Sequence, residues 1–348
     1  MIKNSATYYA LIWLFIGALL ISACKKNFSS DQFEDGKLVV LAEITALDSV
    51  KIPIGKTIKV ENGSLIRFEK VNDATVTITE ENAASWVLQP NYSQQYINNP
   101  TSVFTNKKRF RANANYRIDI NHPTLGFVSA STYIPALPHL IKTDTFSTEF
   151  NDKQVLGVNI TWRDSADYDE FYVIEAVKEL VRNNHFFIYQ AKRYSYDTQE
   201  GKDFYQTIKN TPGIKILMDT ISLNKYTRLN LYTEDDQSEN VKIDKLTNPF
   251  RRIFFPDILF SGDLYRTTVY IDKQFFVDPK QKGRVRLQLK SVSQELYDYL
   301  KLYEKYKTDF GSVPTNQLVS PTGNIENGLG IFGGSAKRER VYYFDVLL

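Results

Sequence analysis

Ala74, Val76 and Ile78 alternate with Thr75, Thr77 and Thr79. That two-residue period belongs to a strand with one buried and one wet face. Tyr116, Ile118 and Ile120 alternate with Arg117 and Asp119 in the same way, and Asn121-His122-Pro123 then predicts a turn. Leu38 to Leu41 is a first apolar run, and residues 127–134 read as a further strand. Short strands separated by turns predict a β-sandwich over residues 37–135. Pro135 and Pro138 follow. Neither can donate to a ladder, so they mark a boundary between domains.

Beyond it, Leu156, Val158, Ile160 and Trp162 share one face of a strand. Residues 164–169 read as a polar turn and Phe171 to Ile174 as the next strand, an order that resembles a fibronectin type III sandwich. Residues 185–191, 214–218 and 229–233 continue the series. Thr267, Val269 and Ile271 alternate, as do Val285, Leu287 and Leu289. One amphipathic helix is predicted near 293–307, from Leu296, Tyr299, Leu300 and Tyr303 at i, i+3, i+4 and i+7, with Ser293 as its N-cap. A glycine-rich loop over 324–334, whose Leu329, Ile331 and Phe332 should plug into a sandwich, precedes a last strand at 341–347. The expected fold is mainly β: two sandwich domains of immunoglobulin or fibronectin type III kind, the second spanning 136–348.

The start of the chain has a different pattern. Tyr8 to Ile21 is continuously apolar but short of the ~20 residues of a membrane span. Lys3 precedes it, and Ile21-Ser22-Ala23-Cys24 follows with the only cysteine in 348 residues. This reads as a lipobox closing a signal peptide at 1–23. Cleavage before Cys24 and acylation of its thiol would tether the body to a membrane through the polar, flexible segment 24–36.

The net charge of +3 gives no basic excess suited to nucleic acid. His122, His139 and His185 never approach ligand spacing, so no metal or other cofactor is expected. No Gly-x-Ser-x-Gly elbow is present, and a lipidated Cys24 leaves no thiol nucleophile. Asp164, Asp167, Asp169 and Glu170 miss the EF-hand spacing and read as a solvated connection, as do Asp235, Asp236 and Glu239. No catalytic residues emerge, and the expectation is a protein that is not an enzyme. Trp86, Tyr92 and Tyr96 lie in an irregular stretch and are the candidate ligand-contact surface.

Five stretches together resemble a Bacteroidota outer-membrane lipoprotein family known as domain of unknown function 4249. They are the lipobox at Cys24, Ile134-Pro135-Ala136-Leu137-Pro138, Phe260-Ser261-Gly262-Asp263-Leu264, Ser291 to Tyr303, and Asn324 to Gly334. The first domain is also similar to a carboxypeptidase regulatory-like sandwich, through Ala74-Thr75-Val76 and Ala114-Asn115-Tyr116-Arg117-Ile118, where Ala114 replaces the usual glycine. The family resemblance implies a lipid-anchored protein of the outer membrane, often encoded beside TonB-dependent transporters. It leaves the periplasmic and surface faces both open. It carries over no catalytic residues. Two functional readings follow: an accessory partner of such a transporter, or a surface module that binds glycan or peptide. A hydrolase would need a carboxylate pair about 5–10 Å apart across a cleft.

Overall fold

The apolar run that opens the body forms strand β1 (Leu38–Thr45). Its two faces have different fates. Leu38, Val40, Ala42 and Ile44 enter a core, while Leu41 packs under a helix and Glu43 joins a charged cluster on the other side. A computed structural model describes residues 36–59, 66–93, 99–164, 170–240, 250–256, 262–275, 282–310 and 323–343. Ile21, Ser22, Ala23, Cys24 and Tyr96 lie outside the described residues.

The chain continues through β2 (Ser49–Lys59), β3 (Ile66–Lys70), β4 (Thr75–Glu80), β5 (Trp86–Pro90), β6 (Ser102–Arg109), β7 (Ala114–His122) and β8 (Gly126–Ile134). After the proline connection come β9 (His139–Phe150), β10 (Lys153–Arg163), β11 (Phe171–Tyr189) and β12 (Lys192–Ser195). Helix α1 (Gln199–Ile208), β13 (Leu217–Arg228), β14 (Leu231–Tyr232), β15 (Ile253–Pro256) and β16 (Leu264–Asp272) follow. β17 (Gly283–Val292), helix α2 (Gln294–Phe310) and β18 (Leu329–Tyr343) end the series.

One long sheet runs β12-β11-β17-β18-β1-β2-β6-β5-β4-β7-β8, with β13 and β15 also on β11 and β3 on β2. It turns over at β5, which pairs with both β6 and β4. β4, β7 and β8 thereby share a core with β1 and β2 and close the first sandwich. A separate sheet, β14-β16-β10-β9, closes the second over β11 and β17. The fold is mainly β and built from sandwiches, as the alternation implies.

Residues 136–348 were expected to serve the second sandwich alone. The structure instead sends β18 back to pair in parallel with β1, from Val39↔Leu329 to Thr45↔Ser335. Ile325, Phe332 and Ala336 are therefore part of the first core. The glycine-rich stretch differs from expectation for the same reason. From Leu329 onward it is strand rather than loop, and the last strand begins there, not at Val341. Phe332 enters the first core, while Ile331 points to the opposite face. Gly36–Leu348 forms one compact unit.

Helix α2 matches the predicted pattern. Ser293 Oγ accepts from Leu296 N at 3.4 Å, and Leu296, Tyr297, Tyr299 and Leu300 are buried against Val173, Phe254, Val292 and Ile331. Helix α1 was not anticipated. Its N-cap Thr198 accepts from Gly201 N, and Phe204 and Tyr205 pack on Phe187 at 5.9 and 5.2 Å between ring centres. The strands read at 171–174 and 185–191 are one element, β11, of 19 residues. No helix among the described residues is long and apolar enough to cross a membrane.

Candidate functional site

The strand period assigns alternate residues of β1, β11, β17 and β18 to one outer face of the long sheet. Register there places Val173 beside Lys290, Glu175 beside Gln288, and Gln288 beside Glu339. Under one end of α2 this face carries a buried ion cluster. Lys290 Nζ lies 2.9 Å from Glu43 Oε1 and 3.1 Å from Glu175 Oε2. Arg252 Nε lies 2.6 Å from Glu175 Oε1, and Arg228 reaches the same carboxylate at 3.5 Å. Glu304 of α2 accepts from Arg251 N at 2.6 Å and faces Arg252 at 3.6 Å. The row continues outward, where Glu179 accepts from Arg284 Nε and Arg286 Nε, both at 2.6 Å, and Arg286 reaches Glu339 at 3.0 Å.

Burial alone would raise the Glu175 carboxyl, but Lys290, Arg252 and Arg228 outweigh it and hold the group well below the usual carboxylate range. Burial lowers and Glu175 and Glu43 raise the Lys290 ammonium, with a net upward shift. A general acid or base works best with a pKa near the operating pH. These shifts run the other way, so the cluster is a clamp between α2, β15 and the sheet. Glu179 has the same character: burial opposes ionisation, Arg284 and Arg286 override it, and the carboxyl falls from 4.5 to about 2. A depressed carboxyl contributes stability above its unfolded pKa and loses it as pH falls through the folded value. Urea midpoints should therefore drop more steeply between about pH 4.5 and 2 in the native chain than in Glu179→Gln. Parallel curves would rule this out.

Two of the carboxylates expected to be solvated are not, while Asp236 is exposed as expected. Asp164 and Glu170 are both buried and flank the Tyr172 hydroxyl. Tyr172 OH donates to Asp164 Oδ1 at 2.6 Å, and Asp164 Oδ2 accepts from Gly262 N at 2.9 Å. Burial, then these hydrogen bonds, push the phenol far above its ordinary 10. The arrangement ties β10, β11 and the turn before β16 together. Asp167 and Asp169 lie outside the described residues. Asp235 is likewise engaged, accepting from Tyr265 OH at 2.8 Å.

Of the three candidate contact aromatics, the described pair Trp86 and Tyr92 differ in their surroundings. Trp86 packs against Phe110 and Tyr116, at 6.0 and 5.9 Å between ring centres, on the edge of the first core. That is a structural role, which its place opposite Ile78 on β5 explains. Tyr92 is 70% exposed and borders a cavity of about 220 Å³ with Lys70, Asn72, Asn91, Ser93 and Thr101. Of the histidines, His122 is absorbed by structure, with Nδ1 accepting from Leu125 N at 3.1 Å and Nε2 lying 2.9 Å from Asp73. His185 Nδ1 meets Asp197 at 2.9 Å. No group of three or more potential metal ligands occurs among the described residues.

The largest feature missed by sequence reading is an arm. β11 outruns β17 and acquires new neighbours, β12 over Phe186–Tyr189 and β13 over Val177–Phe186. Helix α1 covers one side, closing Phe187, Tyr194, Phe204 and Tyr205 into an aromatic cluster. β13 has β11 as its only strand partner among the described residues, and its outer edge is unpaired among them. Along it Met218 is 58% and Tyr226 56% exposed, with Leu223 exposed between them at a bulge.

This is a sandwich-built β protein with an arm whose edge strand is unpaired on its outer side among the described residues. Residues 25–340 match the sequence model of a family described as domain of unknown function (DUF4249), and the chain belongs to that family. No curated protein matches. Among solved structures, the chain is similar to one of the manganese lipoxygenase of Gaeumannomyces graminis with part of a zonadhesin of Komagataella pastoris. Identity there is 10%, coverage is 89% of this chain and 96% of that one, and the TM-score is 0.17. The collagen adhesin of S. aureus gives 9%, 89%, 93% and 0.17 for the same quantities. A carbohydrate-binding module of the β-sandwich superfamily gives 5%, 69%, 93% and 0.17. Scores this low carry no argument about fold or function.

Proposed function

We propose that this chain is a lipid-anchored accessory protein, without catalytic activity, that docks on a TonB-dependent outer-membrane transporter through its β-arm. The observation that carries the reading is the outer edge of β13, unpaired among the described residues, with Met218, Leu223 and Tyr226 exposed along it. An unpaired strand edge is a template for another strand, and soluble proteins usually blunt it. Strand addition uses its backbone groups for affinity and alternate side chains for specificity. The lipid on Cys24 confines the arm to the membrane plane and raises its effective concentration at a membrane partner. The transporter as partner rests on the family resemblance read from the sequence.

A second reading has its own observation. Tyr92 stands exposed beside a cavity that Lys70, Asn72, Asn91, Ser93 and Thr101 also line. An aromatic platform beside polar residues, one of them a lysine, suits a sugar face.

One experiment separates them. The tagged full chain is purified from its own membranes in mild detergent, as wild type, as the triple variant Met218→Ser/Leu223→Ser/Tyr226→Ser, and as Tyr92→Ala. A transporter should accompany wild type and Tyr92→Ala and be lost from the arm variant, with all three remaining in the membrane fraction. Wild type that repeatedly emerges alone defeats the docking reading. Partner loss in Tyr92→Ala with retention in the arm variant transfers the contact to the Tyr92 surface.

A further inference from the structure

On β18 the side chains alternate between two faces, and the charged ones have opposite fates. Lys337 and Glu339 point to the clamp face, where Lys337 pairs with Asp48 at 3.0 Å and Glu339 with Arg286. Arg338 and Arg340 share the other face with Phe332 and Ala336, which enter the first core. That face looks into the junction between the two sandwiches. Arg338 lies beside Leu289 and Arg340 beside Leu287, both in the second core. The proline connection passes over the same place. Together they border an open cleft of about 330 Å³ lined by Leu137, Pro138, His139, Leu140 and the exposed Arg338 and Arg340.

Two properties set this cavity apart. Among the described residues no carboxylate lines it. Arg338 and Arg340 have no ion-pair or hydrogen-bond partner among the described residues, whereas Arg284 and Arg286 on the adjacent strand are each held by Glu179. Asp144, the nearby acid, is paired with Lys142 at 2.8 Å. Two guanidiniums two residues apart on one strand face, each with five donors, therefore line a concave site with no counter-charge among the described residues. Guanidinium forks match carboxylate and phosphate oxygens two at a time. The opposite wall is Leu137, Pro138 and Leu140, with His139 its one polar member among the described residues. The volume falls at the small end of the range for small-molecule sites.

We propose that this junction binds a small organic anion, with a carboxylate or phosphate-monoester head on Arg338 and Arg340 and its carbon body against Leu137, Pro138 and Leu140. The site is independent of the arm, so either assignment stands without the other.

The full chain in neutral detergent is titrated with benzoate, phenyl phosphate and the neutral control benzyl alcohol, by saturation-transfer NMR. Benzoate or phenyl phosphate should saturate with Kd on the order of 1 mM or tighter. Arg338→Ala/Arg340→Ala should weaken binding at least tenfold. Arg338→Lys/Arg340→Lys, which keeps the charge and loses the fork, should weaken it about threefold or more. Thermal midpoints identify a variant that fails to fold, and the lysine pair then carries the comparison. Raising salt from 0.05 to about 0.5 M should also weaken binding. The proposal is overturned if neither anion saturates, if benzyl alcohol competes equally, or if both variants bind like wild type. Association only with phosphatidylglycerol vesicles, and with no soluble probe, overturns it too.

Discussion

Glu175→Gln is expected to cost about 3–5 kcal/mol of folding free energy, the range for removing one partner of a buried ion pair. Glu175 is 1% exposed, and its carboxylate is shared by Lys290, Arg252 and Arg228. Lys290 and Arg252 are themselves buried, so the amide would leave them without their main counter-charge. Glu43 and Glu304 remain nearby and limit the loss. The cost would fall on the junction of α2 with the sheet, because Arg252 precedes β15 and Glu304 belongs to α2. A companion variant tests the cause. Glu175→Leu/Lys290→Met/Arg252→Met removes the charges together and fills their volume with carbon. It should be less destabilised than Glu175→Gln, since no buried charge is left unpaired. Urea unfolding followed by fluorescence reads both. With two cores the transition need not be two-state, so midpoints are compared rather than extrapolated energies. A Glu175→Gln midpoint equal to wild type would refute the clamp.

The sequence made some of this visible and hid the rest for physical reasons. β4, β7 and β16 were legible because each has one face toward solvent, and β17 because its outer face is polar, although the ion cluster covers it; alternation reports both directly. β11 was not. Glu175 sits between Ile174 and Ala176 and looks like an ordinary outward residue, while its partners lie far away in the chain. The Glu43–Lys290 contact alone spans 247 positions. The polar stretch from Arg182 to His185 reads as a break between strands. It continues as one strand because β12 and β13 take over where β17 and β15 stop. Helix α1 has a glycine near its start and a mostly polar surface, so propensity argues against it. Tertiary packing of Phe204 and Tyr205 on Phe187 overrides that. Asp164 and Glu170 looked solvated because polar clusters usually are. No pattern signals that a tyrosine hydroxyl and a backbone amide from 98 residues away will satisfy Asp164. Of the contact aromatics, exposure could not be read from type: Trp86 and Tyr92 lie six residues apart, and one is half-buried against the first core while the other is exposed.

The stretch Asn324 to Gly334 stood out in the sequence for its glycines, and one of them makes the sharpest test of the architecture. Gly330 has φ +101°, a conformation that L side chains rarely adopt. It also sits opposite Val40 in the parallel pairing of β18 with β1, where an added Cβ would lie 2.0 Å from the Val40 carbonyl oxygen. That atom is backbone in the middle of a buried strand and cannot turn aside. Gly330→Ala must push β18 away from β1, and this pairing is what adds Phe332 and Ala336 to the first core while β17 holds β18 to the second. The expected loss exceeds about 4 kcal/mol, the tail of point-mutant effects reserved for such conflicts. Gly157→Ala is the matched control. Its Cβ would meet the Phe146 ring at 2.3 Å, but that ring is partly exposed at a sheet edge and can swing out. Its cost should stay near 1 kcal/mol. Thermal unfolding of the two alanine variants reads the difference. Gly330→Ala as stable as Gly157→Ala would mean that β18 does not join the sandwiches as described.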